Sequence, residues 1–280
     1  MKNILIPTDF SANSRNAIRH ALSLFGQGSC HFYLLHVVQP YIYGATELPV
    51  TGFPADVEKG MMEKSYSELE RILSEIRDDY PHADARFTLM AEYGFFIDSM
   101  RKLVSEKDIS LIVMGTRGAS GLREMTVGSN TGDVITKVKC PVLVIPEDTP
   151  LKPAGRMVFP TDYSIPYSPR VLDTLLFFAD HFSMSVEVLY MVKKNGESLT
   201  AEQQVNKEYL CSYLEQRPHG FHRVRGKNLG EAIEEFTAGR DTDWVAMMAK
   251  KLNFFQQTLF RPTVARISYH TRIPFLVLHE

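Results

Sequence analysis

Along the chain, short and continuously apolar runs alternate with longer segments in which apolar residues recur every three or four positions. The first kind of run fits strands of a sheet buried on both faces, and the second fits amphipathic helices. Asn3–Pro7 is predicted to be a strand, and Ser11 to cap a helix whose apolar face is Ala17, Ile18, Ala21, Leu22 and Phe25. His31–Val38 reads as a second strand. Val57–Tyr80 reads as a long helix carrying Met61, Met62, Tyr66, Leu69, Leu73 and Ile76, stopped before Pro81. Then come a strand at Ala85–Met90, a helix at Phe95–Glu106, a strand at Ser110–Met114, a helix at Gly128–Val138 and a strand at Pro141–Ile145. Strands alternating with helices in this order predict a mainly parallel sheet with helices on both faces.

The pattern then starts again. ILIPTDFS at Ile4–Ser11 returns 153 positions later as MVFPTDYS at Met157–Ser164. The closing segment CPVLVIPE at Cys140–Glu147 returns 133 positions later as IPFLVLHE at Ile273–Glu280. The second copy is therefore shorter by about 20 residues, most of them matching the Pro-, Gly- and Tyr-rich stretch Gln39–Gly60. Its strands are predicted near Arg156–Phe159, Ser185–Val192, Phe221–Arg225, Asp243–Met247 and Pro274–Leu278. The expected organisation is a domain at 1–147, a Pro-containing linker at 148–155 and a second domain at 156–280. Each is expected to be a doubly wound, Rossmann-like α/β unit with a five-stranded sheet.

Composition narrows the function classes. Apolar residues make up 44% and charged residues 23% of the 280, enough core material for two globular domains. With 31 basic and 33 acidic residues the net charge is −2, which lacks the basic footprint of a nucleic-acid binder. Cys30, Cys140 and Cys211 lack metal-ligand or redox spacing and are expected to be buried thiols in a reducing compartment. No apolar run approaches the ~20 residues of a membrane span. A cytoplasmic location with no membrane partner is the expectation.

Candidate chemistry gathers where open α/β sheets bind ligands, beyond the carboxyl ends of the strands at the point where strand order reverses. In the first copy Pro7-Thr8-Asp9 leaves strand one, Gly115-Thr-Arg-Gly118 leaves strand four, and Gly128-Ser129-Asn130-Thr131 opens a helix. Glycines let backbone approach a ligand, and unpaired N–H groups at a helix start favour phosphate. A Walker A loop is absent, as is a G-x-G-x-x-G fingerprint after strand one. His36, alone in an apolar strand, reads as core packing, and the methionines read as core filler. Tyr41 and Tyr43 follow strand two and either cover a ligand or pack on their own domain. No catalytic pairing of Ser, Cys, His and Asp stands out.

The spacing Gly115-x2-Gly118-x9-Gly128-Ser129, preceded by LIVM and followed by CPVLVIP, resembles the universal stress protein family. ILIPTDFS and YLLHVV match it too, and the repeat extends the resemblance over the whole chain as a tandem member. The resemblance implies an adenosine pocket at Pro7, Thr8 and Asp9, adenine against the backbone of Val37, ribose beside Met114 and Gly115, and phosphates wrapped by Gly118, Gly128, Ser129, Asn130 and Thr131. Arg117 lies inside the first loop, either against a phosphate or solvated. The implied ligand is ATP, or ADP or AMP, with Mg²⁺ carried by the phosphates. The implied role is a stress-response sensor or regulator with at most slow hydrolysis. The alternative is an interaction module of the same fold that uses no nucleotide. The two halves are expected to pair through Val142–Ile145 and Phe275–Leu278, with a homodimer and an unidentified protein partner both open.

The second copy keeps Pro160, Thr161 and Asp162 but loses the glycines. Met248, Lys251, Arg261 and Pro262 stand where Gly115, Gly118, Gly128 and Ser129 stand in the first. One nucleotide site per chain is therefore expected, in the first half.

Overall fold

A computed structural model describes residues 3–40, 55–80, 85–116, 129–192, 198–225, 233, 235–237, 242–249 and 272–280. The chain divides into two units that meet along the sequence between Glu147 and Asp148. In the first unit the elements are β1 (Asn3–Pro7), α1 (Ala12–Phe25), β2 (His31–Val38), α2 (Ala55–Asp79), β3 (Arg86–Tyr93), α3 (Phe96–Glu106), β4 (Leu111–Gly115), α4 (Ser129–Lys137) and β5 (Val142–Ile145). The strands lie in the order β3-β2-β1-β4-β5. Every described pairing among them is parallel. Order reverses between β1 and β4, because the chain first winds outward through β2 and β3 and then returns to the other side of β1.

The core follows from the apolar runs. Ile4, Leu5 and Ile6 of β1, and Leu111, Ile112 and Val113 of β4, are fully buried, as a central strand covered on both faces requires. On α1 the predicted face is buried throughout: Ala17, Ile18, Ala21, Leu22 and Phe25. Each large member of that set contributes about 1.5–3 kcal/mol on burial. The predicted cap is present, with Ser11 Oγ accepting from Ser14 N–H at 3.3 Å.

α2 departs from its predicted face. Ser65, Leu69, Ile72 and Ile76 are its buried residues, whereas Met61 and Tyr66 are exposed. The inward stripe thus begins with a serine that an apolar count passes over. Ser65 can be buried because its hydroxyl donates to the Met61 carbonyl at 2.8 Å.

In the second unit the elements are β6 (Arg156–Thr161), α5 (Pro169–His181), β7 (Ser185–Val192), α6 (Ala201–Leu214), β8 (His219–Arg225), β9 (Trp244–Met248) and β10 (Phe275–Leu278). Their order, β10-β9-β6-β7-β8, repeats that of the first unit, again with parallel pairings. The registers correspond as well. Pro7 faces Leu35 in one unit and Pro160 faces Leu189 in the other, so His36 and Tyr190 occupy equivalent places. Phe178, Phe182 and Trp244 form an aromatic cluster between α5 and β9, with ring centroids 5.2–5.7 Å from the tryptophan.

Two expectations need correction at the level of single residues. Cys30 and Cys140 are buried free thiols as expected, but Cys211 on α6 is only half-buried. The second-unit helix also starts later than the repeat implies, because Pro166 stands at the position of Asn13. The cap moves to Ser168, with Pro169 as the first helical residue.

Candidate functional site

The turn that leaves β1 is built from its own side chains. Thr8 is buried, and its Oγ1 accepts from Phe10 N–H at 3.1 Å. Ser14 Oγ donates to the Ser11 carbonyl, so the 2.9 Å contact between Thr8 and Ser14 is donated by Thr8. Asp9 Oδ1 accepts from both the backbone N–H and the hydroxyl of Ser11, at 3.1 and 2.6 Å. These bonds hold Phe10 at φ 66°, a left-handed conformation costly for a residue with a side chain. Phe10 then stacks on His36, with ring centroids 4.3 Å apart. His36 Nδ1 lies 2.8 Å from the Thr8 carbonyl. A carbonyl only accepts, so Nδ1 carries the proton and Nε2 is left as an acceptor when the ring is neutral.

Gly115 ends β4 against the start of α1. A Cβ there would sit 3.0 Å from the Asn13 carbonyl oxygen, so the glycine is needed for the helix to approach the strand. Thr131, buried in the first turn of α4, donates from Oγ1 to the Gly115 carbonyl at 2.9 Å and ties the helix start to the strand end. Ser129 and Asn130 are exposed. Backbone N–H groups in the first turn of such a helix have no intrahelical acceptor.

These pieces surround one cavity of about 680 Å³ beyond the carboxyl ends of β1, β2 and β4. Pro7, Thr8, Asp9, Val37, Met114, Gly115, Ser129, Asn130 and Thr131 all line it. Arg117, Gly118 and Gly128 lie outside the described residues, as do Tyr41, Tyr43 and the second-copy positions Lys251, Arg261 and Pro262. The walls also include residues the sequence reading assigned elsewhere or passed over. His36 and Met61, expected in the core, are cavity residues. Phe10, Ser14, Val38, Gln39, Phe96 and the α2 residues Lys64, Ser65 and Glu68 complete the lining. A pairing rule could have found His36, since it directly follows Leu35, the partner of Pro7. The α2 residues could be found only once the helix was rotated onto its Ser65 face.

The cavity has two characters. Phe10, Val37, Val38, Met61, Phe96 and Met114 give it apolar and aromatic walls, while Ser129, Asn130 and the start of α4 give it donors. Its charged lining is mixed: Lys64 against Asp9 and Glu68. A hydrogen bond from Arg71, 2.6 Å away, holds the Glu68 carboxyl below its ordinary range, so it is ionised near neutral pH. Among the described residues no group of three or more His, Cys, Asp and Glu side chains is placed to hold a metal ion.

The equivalent region of the second unit is built on the same turn. Thr161 Oγ1 accepts from Tyr163 N–H at 3.0 Å, Asp162 Oδ1 accepts from Ser164 N–H at 2.9 Å, and Tyr163 has φ 58°. Tyr163 stacks on Tyr190 as Phe10 stacks on His36. Where Ser14 touches Thr8, Tyr167 touches Thr161, with the oxygens 2.6 Å apart. Burial pushes the phenols of both Tyr163 and Tyr167 above their ordinary range. α6 closes over the turn, Gln203 donating to the Asp162 carbonyl and Asn206 to the Tyr163 carbonyl, each at 2.8 Å. The cavity left here measures about 200 Å³.

Comparison with known proteins agrees with the sequence resemblance. The profile described as "Universal stress protein family" matches residues 1–146, just over half of the chain. The chain belongs to the universal stress protein family. It is 26% identical over 156 residues to universal stress protein MJ0577 of Methanocaldococcus jannaschii, a match that takes 51% of this chain and 94% of that protein. It is also 26% identical over 143 residues to universal stress protein YxiE of Bacillus subtilis, covering 51% of this chain and 97% of that one. A solved universal stress protein from Archaeoglobus fulgidus matches 99% of this chain and 98% of its own at 19% identity, with a TM-score of 0.69. That likeness shows the fold over both halves of the chain. No described helix is long and apolar enough to cross a membrane.

Proposed function

We propose that this universal stress protein binds an adenine nucleotide, ATP or else ADP or AMP, in its first unit and acts as a cytoplasmic stress-response regulator with at most slow hydrolysis. The observation that carries the reading is the convergence of nine expected site residues on one cavity at the point where strand order reverses. A base fits the apolar end, flanked by the Phe10 and His36 rings and the β2 backbone at Val37. Phosphates belong at the polar end, against the start of α4, and the family resemblance adds Arg117, Gly118 and Gly128 as their further contacts. The described walls supply neither a cluster of cations nor a metal cage, so Mg²⁺ would come with the phosphates. Among the described residues no general base is paired with a positioned nucleophile, which suits a ligand-responsive regulator better than a fast hydrolase.

A second reading has an observation of its own. Thr8, Asp9, Gly115 and Thr131 each have a structural duty in the turn or in helix docking. An interaction module could keep the motif for those duties alone. Acid-quenching freshly purified protein and chromatographing the released small molecules separates the readings. Nucleotide near one per chain supports the first. Its absence, together with no binding of added ATP or AMP, leaves the second. Pairing of the two halves through β5 and β10 belongs to the same proposal, and an experimental structure with either strand facing solvent would contradict it.

A further inference from the structure

We propose that the second unit carries a binding site of its own for a small organic phosphate with a flat apolar body. This goes beyond the nucleotide reading and does not depend on it. The site is the 200 Å³ cavity walled by Tyr163, Tyr190, Leu199, Lys207, His222 and Arg223, with Ser198 at its edge. Its charge is one-sided. Among the described residues the lining holds the cations Lys207 and Arg223 and no carboxylate, the His222 ring being bonded to Glu187, whereas the first-unit cavity mixes Lys64 with Asp9 and Glu68.

The acceptors near this cavity are already engaged. Gln203 and Asn206 cap the Asp162 and Tyr163 carbonyls. Glu187 takes hydrogen bonds from His222 Nε2 at 2.5 Å and from the Ser185 hydroxyl at 3.0 Å, with Arg156 at 3.8 Å. The charged groups that the described walls present to a ligand are therefore the cations Lys207 and Arg223. The guanidinium of Arg223 offers a planar fork suited to phosphate, and Lys207 adds a point charge from α6. The Tyr163 and Tyr190 rings, stacked 5.1 Å apart at their centroids, give the flat wall against which an apolar body packs. The space is less than a third of the first-unit cavity, which favours a compact ligand over a nucleoside triphosphate.

The experiment is isothermal titration of the full chain with phenyl phosphate, and separately with inorganic phosphate, with and without saturating ATP. One saturable phenyl phosphate site per chain, unaffected by ATP and tighter than that for inorganic phosphate, is expected. Lys207→Ala and Arg223→Ala should each weaken it roughly tenfold, the scale of losing one charge-assisted contact, with Arg223→Lys weakened less. Arg223 is exposed and Lys207 half-buried, and unchanged melting temperatures confirm that the variants fold. Four results would overturn the proposal: no saturable binding, affinity unchanged in both alanine variants, displacement by ATP, or equal affinity for inorganic phosphate.

Discussion

The two units make the same turn after their first strand and do different things with it. In both, a threonine and an aspartate hold an aromatic residue at positive φ, and that aromatic stacks on the neighbouring strand. Retaining Pro-Thr-Asp in the second unit thus has a reason in the fold alone. Around the turn the chemistry diverges. Ser14 and His36 in the first unit correspond to Tyr167 and Tyr190 in the second, and the cavity falls from about 680 to about 200 Å³. The strand end changes too. Gly115 lets α1 begin at Ala12, whereas Met248 accompanies an α5 that begins only at Pro169. A short motif shared by two repeats therefore marks shared architecture. Shared ligand chemistry has to be judged from what surrounds it.

The largest expected effects come from making the first unit resemble the second. Gly115→Met should abolish ATP binding and destabilise the chain by about 1–3 kcal/mol, because even its Cβ presses on the Asn13 carbonyl. Calorimetric titration and urea denaturation check the two parts separately. Gly128→Glu should abolish ATP binding with little loss of stability, and retained affinity would remove the proposed phosphate end.

Acid should separate the units by a comparable amount. His279, at the end of β10, is 7% exposed, and burial with the nearby Arg170 pushes its pKa from 6.5 down to about 4. A depressed imidazole means that the unfolded chain binds the proton more readily. The resulting stability is complete above pH 6.5 and is lost as pH falls toward 4, amounting to about 3 kcal/mol. His279→Phe should flatten that part of the pH–stability curve. A curve unchanged by the substitution would show that His279 titrates normally.

Smaller effects sharpen the account of the turn. Asp9→Ala and Asp162→Ala each remove hydrogen bonds that organise a turn and should cost about 1–2 kcal/mol in stability. Only the first should also weaken ATP binding, by on the order of 1–3 kcal/mol. At the bottom of the scale, Ser11→Ala and Ser168→Ala remove the caps of α1 and α5 and should cost about 1 kcal/mol each.

The fold was legible in the sequence because its central strands are uninterrupted apolar runs and its repeat fixes their order. His31–Val38 and Ser185–Val192 match their predicted bounds, and others differ at their ends by only a few residues. What escaped was information that periodicity does not carry. Ser65 is buried through a bond to its own helix, so α2 was read a fraction of a turn away from its true face. That rotation also hid Lys64 and Glu68 from the site. His36 looked like core because its strand is apolar, and only strand register places it beside the turn. Thr8, Asp9 and Thr131 line the cavity and also hold the turn and the helix start together, a second duty that a sequence does not show.

The central claim is that the first unit holds the nucleotide site and the second does not. Isothermal titration of the full chain with ATP tests it most directly. The account predicts one site per 280-residue chain, weakened by Asp9→Ala and indifferent to Asp162→Ala. Two equivalent sites, or a single site that responds to Asp162 and ignores Asp9, would contradict it.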